Sequence, residues 1–381
     1  MAKKVLFLIE SLAGGGAERV LVTILNHLDR QAFEVTLCCV SNVGVLLENL
    51  NPFICYRPIL PDPSRLSWGR ALLYKIKYKL VYSWLPIRWV YRLFVPKGND
   101  VEVAFVEGFA TKLVAASTSR SSKKIAWVHI DLEHLPWTQD SKVFRSLEEE
   151  KACYAQFDRI ICVSQAVAAT FNKVYAPKTT ISVLYNPIDS DHVVFGAKEN
   201  CMIPDKSGVR IISLGRLVPQ KAFDRLIRIA SRLKKDGFTF ELWILGDGRD
   251  RRLLEDIVDK ENLQENVVLW GFKQNPYPYL ASADLFVCSS RAEGFSTAIT
   301  EALVLGVPVV ATDCAGVREL LEESGCGIIS SNDDDSLYFA LRWVLGNNQI
   351  LHSLKIAALK MKDAFPLDQA IASIEALLTT C

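Results

Sequence analysis

Short apolar runs alternate with amphipathic segments along nearly all of this 381-residue chain, and that alternation restricts the folds open to it. The runs fall at residues 4–9, 34–40, 101–106, 124–130 and 159–164 in the first half. In the second half they fall at 210–215, 240–246, 267–272, 285–289 and 307–312. KVLFLI, EVTLCCV, FELWILG and VPVVAT are β-rich and apolar on both faces, as strands inside a parallel sheet are. Segments with helical spacing lie between them, among them DRLIRIASRLKKDG (224–237) and TAITEALVLG (297–306). Strand–helix alternation implies parallel sheets with right-handed crossovers. The rhythm breaks once, in the polar stretch NPIDSDHVVFGAKENCMIPDKSG (186–208). A single core rarely grows past about 250–300 residues. The expectation is therefore an α/β chain of two doubly wound, Rossmann-like domains, residues 1–188 and 189–363, with a ligand cleft at the C-terminal ends of their strands. A final helix in 364–381 is placed to pack back on the first domain.

Charge narrows the function. The net charge is +1, which gives no global bias toward nucleic acid. None of the ten cysteines forms a C-x-x-C, and Cys38, Cys39 and Cys288 sit inside apolar runs, where a thiol acts as a small hydrophobe. A reducing cytoplasm is expected. The opening run VLFLI ends at Glu10, too short for a secretory leader, and no run reaches the ~18 apolar residues of a spanning helix.

Two segments of the second half carry chemistry. In the first, Glu293-Gly-Phe-Ser-Thr-Ala-Ile-Thr-Glu301, a turn follows an apolar strand and a helix begins. The free N–H groups of such a helix start favour an anion. Carboxylates eight positions apart can then accept hydroxyl hydrogen bonds from the two ends of a docked diphosphate ligand. Alone, the pair reads equally as a loop carboxylate and a solvated helix glutamate. In the second segment, strand RIISLG runs into Gly215-Arg216-Leu217-Val218-Pro219-Gln220-Lys221, placing two cations at a strand end. Arginine can grip a diphosphate bidentately and lysine acts as a point charge.

The first half is less specific. Gly14-Gly15-Gly16 follows the first strand, but Arg19 breaks any G-x-G-x-x-G, so a dinucleotide fingerprint is not expected. The glycines suit either a loop pressed on a ligand or a plain βα turn. His129 closes the run KIAWVHI, at the ligand edge of its sheet. With Asp131, Glu133 and His134 it resembles a metal cluster, yet it lacks cysteine partners and helical i, i+4 spacing, so no metal site is expected.

Taken together, GRLVPQK, LGDGRDRRLLE, EGFSTAITEAL, GVPVVATDCAGVREL, GGGAERV and Asn186-Pro187 resemble the retaining GT-B glycosyltransferases of family 4 (glycosyl transferases group 1), from Val5 to about Gly327. The resemblance implies a GT-B fold and transfer of a hexosyl or N-acetylhexosaminyl group from a nucleoside-diphosphate sugar, a UDP-sugar first of all. It implies that Arg216 and Lys221 neutralise the donor diphosphate and that Glu301 holds the ribose. Glu293 would face the donor sugar, and Phe295, Ser296 and Thr297 would support the diphosphate. Gly246 and Gly248 would let the chain approach the nucleotide, and Phe272 would border the base. Gly15 and Gly16 would approach the donor phosphates or the acceptor, and His129 would lie beside the reacting carbon. His129, Glu293, Arg216 and Lys221 are thus the catalytic candidates, with no cofactor and no metal expected. Ser296-Thr297-Ala298 stands where many relatives carry Gly, Leu or Pro, which leaves the donor sugar open.

Residues 65–97 hold eight cations, eight aromatics and no acid. Leu66, Leu72, Leu73, Ile76 and Leu80 fall on one helical face, Tyr74, Tyr78 and Tyr82 form a stripe beside it, and Pro86 ends the helix. Interfacial membrane helices are built this way. Arg70, Lys75, Lys77, Lys79, Trp84, Arg88, Trp89 and Arg92 are the candidates for meeting an anionic membrane or a lipid-linked saccharide acceptor. A core helix with snorkelling lysines is the plainer alternative. The combined expectation is a peripheral enzyme on the inner face of the cell membrane, acting in surface polysaccharide or glycan assembly without nucleic acid. A nucleotide-sugar epimerase and a non-catalytic membrane partner are the rivals. The basic segment argues against the first and the four intact donor residues against the second.

Overall fold

The computed structural model describes residues 2–322 and 324–381, apart from the Trp68 side chain. It divides into two compact units, Met1–Pro187 with Asp368–Cys381, and Ile188–Leu367.

In the first unit seven parallel strands follow the order β3-β2-β1-β4-β5-β6-β7. They are β1 (Lys3–Ile9), β2 (Phe33–Cys39), β3 (Cys55–Tyr56), β4 (Val101–Ala104), β5 (Lys123–Val128), β6 (Arg159–Cys162) and β7 (Ile181–Val183). β1 lies at the centre, with Val5 opposite both Val35 and Val101, and Val5 through Ile9 are buried. That double-sided burial is why KVLFLI is apolar on both faces. The second unit has six parallel strands in the order β10-β9-β8-β11-β12-β13. These are β8 (Val209–Leu214), β9 (Phe240–Leu245), β10 (Val267–Gly271), β11 (Leu285–Cys288), β12 (Val309–Thr312) and β13 (Gly327–Ser330). Both sheets are doubly wound. The strand order reverses between β1 and β4 in one and between β8 and β11 in the other, and such switch points are where open α/β sheets bind ligands.

All ten expected strands form, with ends shifted by one or two residues. Three more, β3, β7 and β13, sit at sheet edges. The last helix, Leu367–Thr380, belongs to the first unit. Lys3 Nζ donates to the Thr379 carbonyl (2.9 Å), Asp29 N donates to Glu375 Oε1 (2.8 Å), and Ile371, Ile374 and Leu378 are buried.

Helix α1 (Gly16–His27) follows β1. The basic segment forms α2 (Trp68–Lys79), a π turn at Leu80–Trp84 and, after Pro86, α3 (Ile87–Phe94). No described side chain of α2 is buried: Leu72 is 62% and Leu73 65% exposed. A core helix is thereby excluded. Beyond it Trp84 (59%), Trp89 (51%) and Leu93 (58%) also face outward. The segment is anchored through α3, where Val90 and Tyr91 are buried and Tyr91 Oη donates to the buried Glu102 carboxylate at 2.6 Å. One cation departs from expectation. Lys77 turns inward, donates to the Ile59 carbonyl and lies over the Phe94 ring, and burial lowers its pKa. It is spent inside the fold rather than on a membrane or acceptor. Lys79 and Arg92 instead lie over the exposed rings of Trp84 and Trp89. Helix α4 (Phe109–Ala115) follows β4.

Candidate active site

The second unit concentrates charge at its switch point. β8 ends at Leu214, and the chain turns through Pro219–Lys221 into the helix Phe223–Lys235, with Ala222 left-handed at φ 52°. This turn carries the Lys221 side chain back across Gly215 to the loop after β11. Lys221 Nζ meets Glu293 Oε1 at 2.6 Å, and Ser290 Oγ donates to the same oxygen at 2.5 Å. Burial opposes the Lys221 charge, but the Glu293 carboxylate outweighs it and the ammonium pKa is raised. Cys288 lies beside the pair, and burial pushes its thiol pKa up, so it stays protonated and unreactive. Arg216 is exposed, forms no ion pair among the described residues, and is close enough for its charge to act on Lys221. Lys221 is paired with Glu293, and Arg216 brings a second cation to this edge.

The two loops are sewn together by residues that sequence reasoning passed over. Arg291 N donates to the Gln220 carbonyl (2.7 Å), Gln220 Nε2 to the Ala292 carbonyl (2.9 Å) and Ser289 Oγ to the Lys221 carbonyl (2.9 Å). The Arg291 guanidinium grips Asp224 with both terminal nitrogens, at 3.1 and 3.0 Å. Burial works against the Asp224 charge, but Arg291 and Arg228 hold its pKa down to about 2.

The helix Thr297–Val304 starts beside this pair, and no side chain caps its first turn. Its N-terminal N–H groups therefore offer an anion seat. Ser296 and Phe295 are buried under that turn. Glu301, one turn further on, is buried and accepts a hydrogen bond from Tyr277 Oη at 3.3 Å, a partner the sequence did not announce. Gly316, left-handed at φ 73°, explains the GVREL end of the motif, because a Cβ there would lie 2.2 Å from the Gly294 carbonyl oxygen. The glycines of GDG act in a way the sequence did not suggest. A Cβ on Gly246 would fall 1.9 Å from Gly215 O, and one on Gly248 would fall 2.4 Å from Leu217 O. The close approach they permit is to the protein's own backbone, which fixes the loop bearing Arg216. Phe272 follows β10 and is partly exposed.

In the first unit Gly15 caps α1, and the Glu18 carboxylate folds back to accept from Gly15 N and, at 3.4 Å, from Ser11 Oγ. His129 directly follows β5. Its ring packs on Phe105 and Trp127, and Nε2 is buried with no protein partner among the described residues. Burial drives its pKa down to about 3, while a hydrogen bond to the Phe105 backbone acts weakly the other way. The imidazole is therefore neutral, and Nε2 can accept from a hydroxyl but brings no positive charge. Beneath it the buried Glu107 carboxylate accepts from His129 N and, at 2.9 Å, from Ile130 N. Burial raises the Glu107 pKa to about 7. Asp131 and Glu133 are committed elsewhere, to His134 Nδ1 (2.8 Å) and to Lys173. Among the described residues no group of three or more His, Cys, Asp or Glu side chains is placed to hold a metal ion.

Two doubly wound parallel units, the second with a cation pair beside an uncapped helix start, define a GT-B protein. The comparisons agree. The model described as Glycosyltransferase Family 4 matches residues 14–192, and that described as Glycosyl transferases group 1 matches residues 208–347. The chain is 30% identical over 366 residues to the N-acetylgalactosamine-N,N'-diacetylbacillosaminyl-diphospho-undecaprenol 4-alpha-N-acetylgalactosaminyltransferase of Campylobacter jejuni, covering 94% of each chain. It is 24% identical over 364 residues to the amylovoran biosynthesis glycosyltransferase AmsD of Erwinia amylovora, covering 93% of each. Anabaena HepE, solved with UDP-glucose, shares the fold at a TM-score of 0.73 and 19% identity, over 99% of this chain and 100% of that one. The chain belongs to the family 4 glycosyltransferases and is a sugar-transferring enzyme.

Proposed function

We propose that this enzyme moves a hexosyl or N-acetylhexosaminyl group, with retention of configuration, from a UDP-sugar to a lipid-linked saccharide in surface polysaccharide or glycan assembly. The observation that carries the donor half is the Lys221–Glu293 pair with Arg216 beside the uncapped helix Thr297–Val304. As the glycosidic bond breaks, negative charge grows on the departing diphosphate. Fixed cations and N–H dipoles stabilise it without reorganising. These groups supply the positive charge, so no metal is assigned a role. Glu293 orients Lys221 and faces the donor sugar. Glu301 accepts the ribose hydroxyls, and His129 Nε2 accepts a sugar hydroxyl near the reacting carbon. The UDP-glucose complex of the Anabaena structure supports the donor class. The diphospho-undecaprenol in the Campylobacter relative's name supports the acceptor class.

The exposed row Leu72, Leu73, Trp84, Trp89 and Leu93 supports peripheral membrane contact, with Arg70, Lys75, Lys79, Arg88 and Arg92 placed to meet anionic headgroups. Each cation near such a surface adds about 1 kcal/mol. No helix among the described residues is long and apolar enough to cross a membrane. Sedimentation with anionic vesicles is expected to fall at least about tenfold in the variant Leu72→Glu/Leu73→Glu, since burying each leucine yields roughly 1.5–3 kcal/mol. Unchanged sedimentation would remove the membrane claim alone.

The transfer itself is tested with a panel of UDP-hexoses and UDP-N-acetylhexosamines and polyprenyl-diphosphate-linked saccharides. The product is read by mass spectrometry and its anomeric configuration by NMR. An enzyme that binds UDP but transfers from no donor, or yields the inverted anomer, would contradict this reading.

A further inference from the structure

The first unit has its own switch point, between β1 and β4, and the Glu10 carboxylate sits on it. Glu10 directly follows β1. Its Oε1 accepts from Phe109 N, the first residue of α4, at 3.3 Å, so the side chain bridges from the end of β1 to the loop after β4. Oε2 has no hydrogen-bond partner among the described residues. Burial raises the Glu10 pKa, the Phe109 N–H opposes that, and the nearby Glu18 charge adds to it. Glu18 is already engaged by Gly15 N and Ser11, whereas Glu10 keeps one oxygen open.

An aromatic track leads from the exposed helix α2 to this carboxylate. Ring centroids run 6.1 Å from Tyr74 to Tyr78, 4.7 Å from Tyr78 to Tyr82 and 4.6 Å from Tyr82 to Phe109. Tyr78 is exposed, and Tyr82 is half-buried. Burial first, and then the Glu10 charge, raise the Tyr82 pKa, so its hydroxyl stays neutral close to that carboxylate. Tyr82 lies in the π turn at Leu80–Trp84, and its ring contact with Phe109 brings the stripe to the start of α4.

We propose that Glu10 and Tyr82 form the acceptor-sugar subsite of this enzyme, with Glu10 Oε2 accepting a hydrogen bond from an acceptor hydroxyl and the sugar's C–H face resting on the Tyr82–Tyr78 edge. Pyranose rings present hydroxyls at their rim and an apolar C–H face, which a carboxylate beside aromatic rings complements. A pure helix cap is a poorer account of Glu10. The bond to Phe109 is long, it occupies one oxygen, and the residue is 99 positions from the helix it would cap. The role is one of binding and orientation, and no proton transfer is assigned to Glu10. The proposal rests on the transferase reading above.

The test compares wild type, Glu10→Gln and Tyr82→Leu in two assays. The first is calorimetric binding of a short-chain polyprenyl-diphosphate-linked oligosaccharide, which needs no turnover. The second is steady-state transfer, with donor KM and acceptor-free donor hydrolysis measured alongside. Hydrogen bonds to charged groups are worth about 10- to 100-fold in affinity. Glu10→Gln should therefore weaken acceptor binding and raise acceptor KM by about that factor. Donor KM, donor hydrolysis and the melting temperature should stay at wild-type values. Tyr82→Leu should weaken the acceptor by about tenfold. Unchanged acceptor binding in both variants would overturn the subsite. So would losses in donor hydrolysis and melting temperature that match the loss in transfer, because they mark a structural role. If wild type binds the oligosaccharide but transfers nothing to it, the functional reading fails while the binding comparison still decides on Glu10.

Discussion

Replacing Lys221 with methionine is expected to lower kcat for sugar transfer by about 10²–10³-fold, the usual effect of deleting one preorganised charge-stabilising group. The same change should destabilise the second unit. Lys221 and Glu293 are both largely withdrawn from water, and removing one partner of a buried pair costs roughly 3–5 kcal/mol by stranding the other. The two effects can be separated. In Lys221→Met/Glu293→Gln no charge is stranded, and Ser290 can still donate to the amide oxygen. Urea unfolding of the double variant should return toward wild type, while single-turnover transfer stays low. A double variant that regains transfer, or a Lys221→Met enzyme within fivefold of wild type, would show that the ammonium is structural only.

Gly246→Ala should be nearly as damaging although it adds one methyl group. The new Cβ would lie 1.9 Å from the Gly215 carbonyl oxygen, and φ at this position is 139°. Neither atom can yield without moving backbone, so a loss of about 3 kcal/mol or more is expected. Gly215 precedes Arg216, and displacement of a positioned group by about 1 Å can cost about 10²-fold in rate. Donor KM and kcat should therefore both suffer. Gly237→Ala is the control. Its φ is 85°, but nothing lies within 4 Å of the added Cβ, so it should show only backbone strain, about 1 kcal/mol, and normal transfer.

The site strands were legible because parallel strands buried on both faces must be continuously apolar. β3 has two residues, and β7 and β13 are half-buried at sheet edges, so none carries a long apolar signal. Lys221 and Glu293 of the candidate site each follow an apolar strand that is legible by itself. Their union was less so, because Lys221 and Glu293 are 72 positions apart and meet only because β8 pairs with β11. Asp224, Gln220, Ser290 and Arg291 look like ordinary surface residues in the sequence, and their roles depend on that same pairing. In the sequence Lys77 is one of a row of equivalent cations. Its inward turn follows from the Ile59 carbonyl beyond β3, a strand too short to be foreseen. Glu10 looked like the stop of an apolar run, and its place on a switch point depends on a strand order that no local pattern encodes.

The return of Leu367–Thr380 to the first unit bears on how the chain is born. The ribosome releases every residue of the second unit before the first can close, because Ile371, Ile374 and Leu378 follow that unit in the chain. The second unit is therefore complete while the first still waits for Leu367–Thr380. A frameshift or protease cut just before residue 368 would strike the unit that is first in sequence.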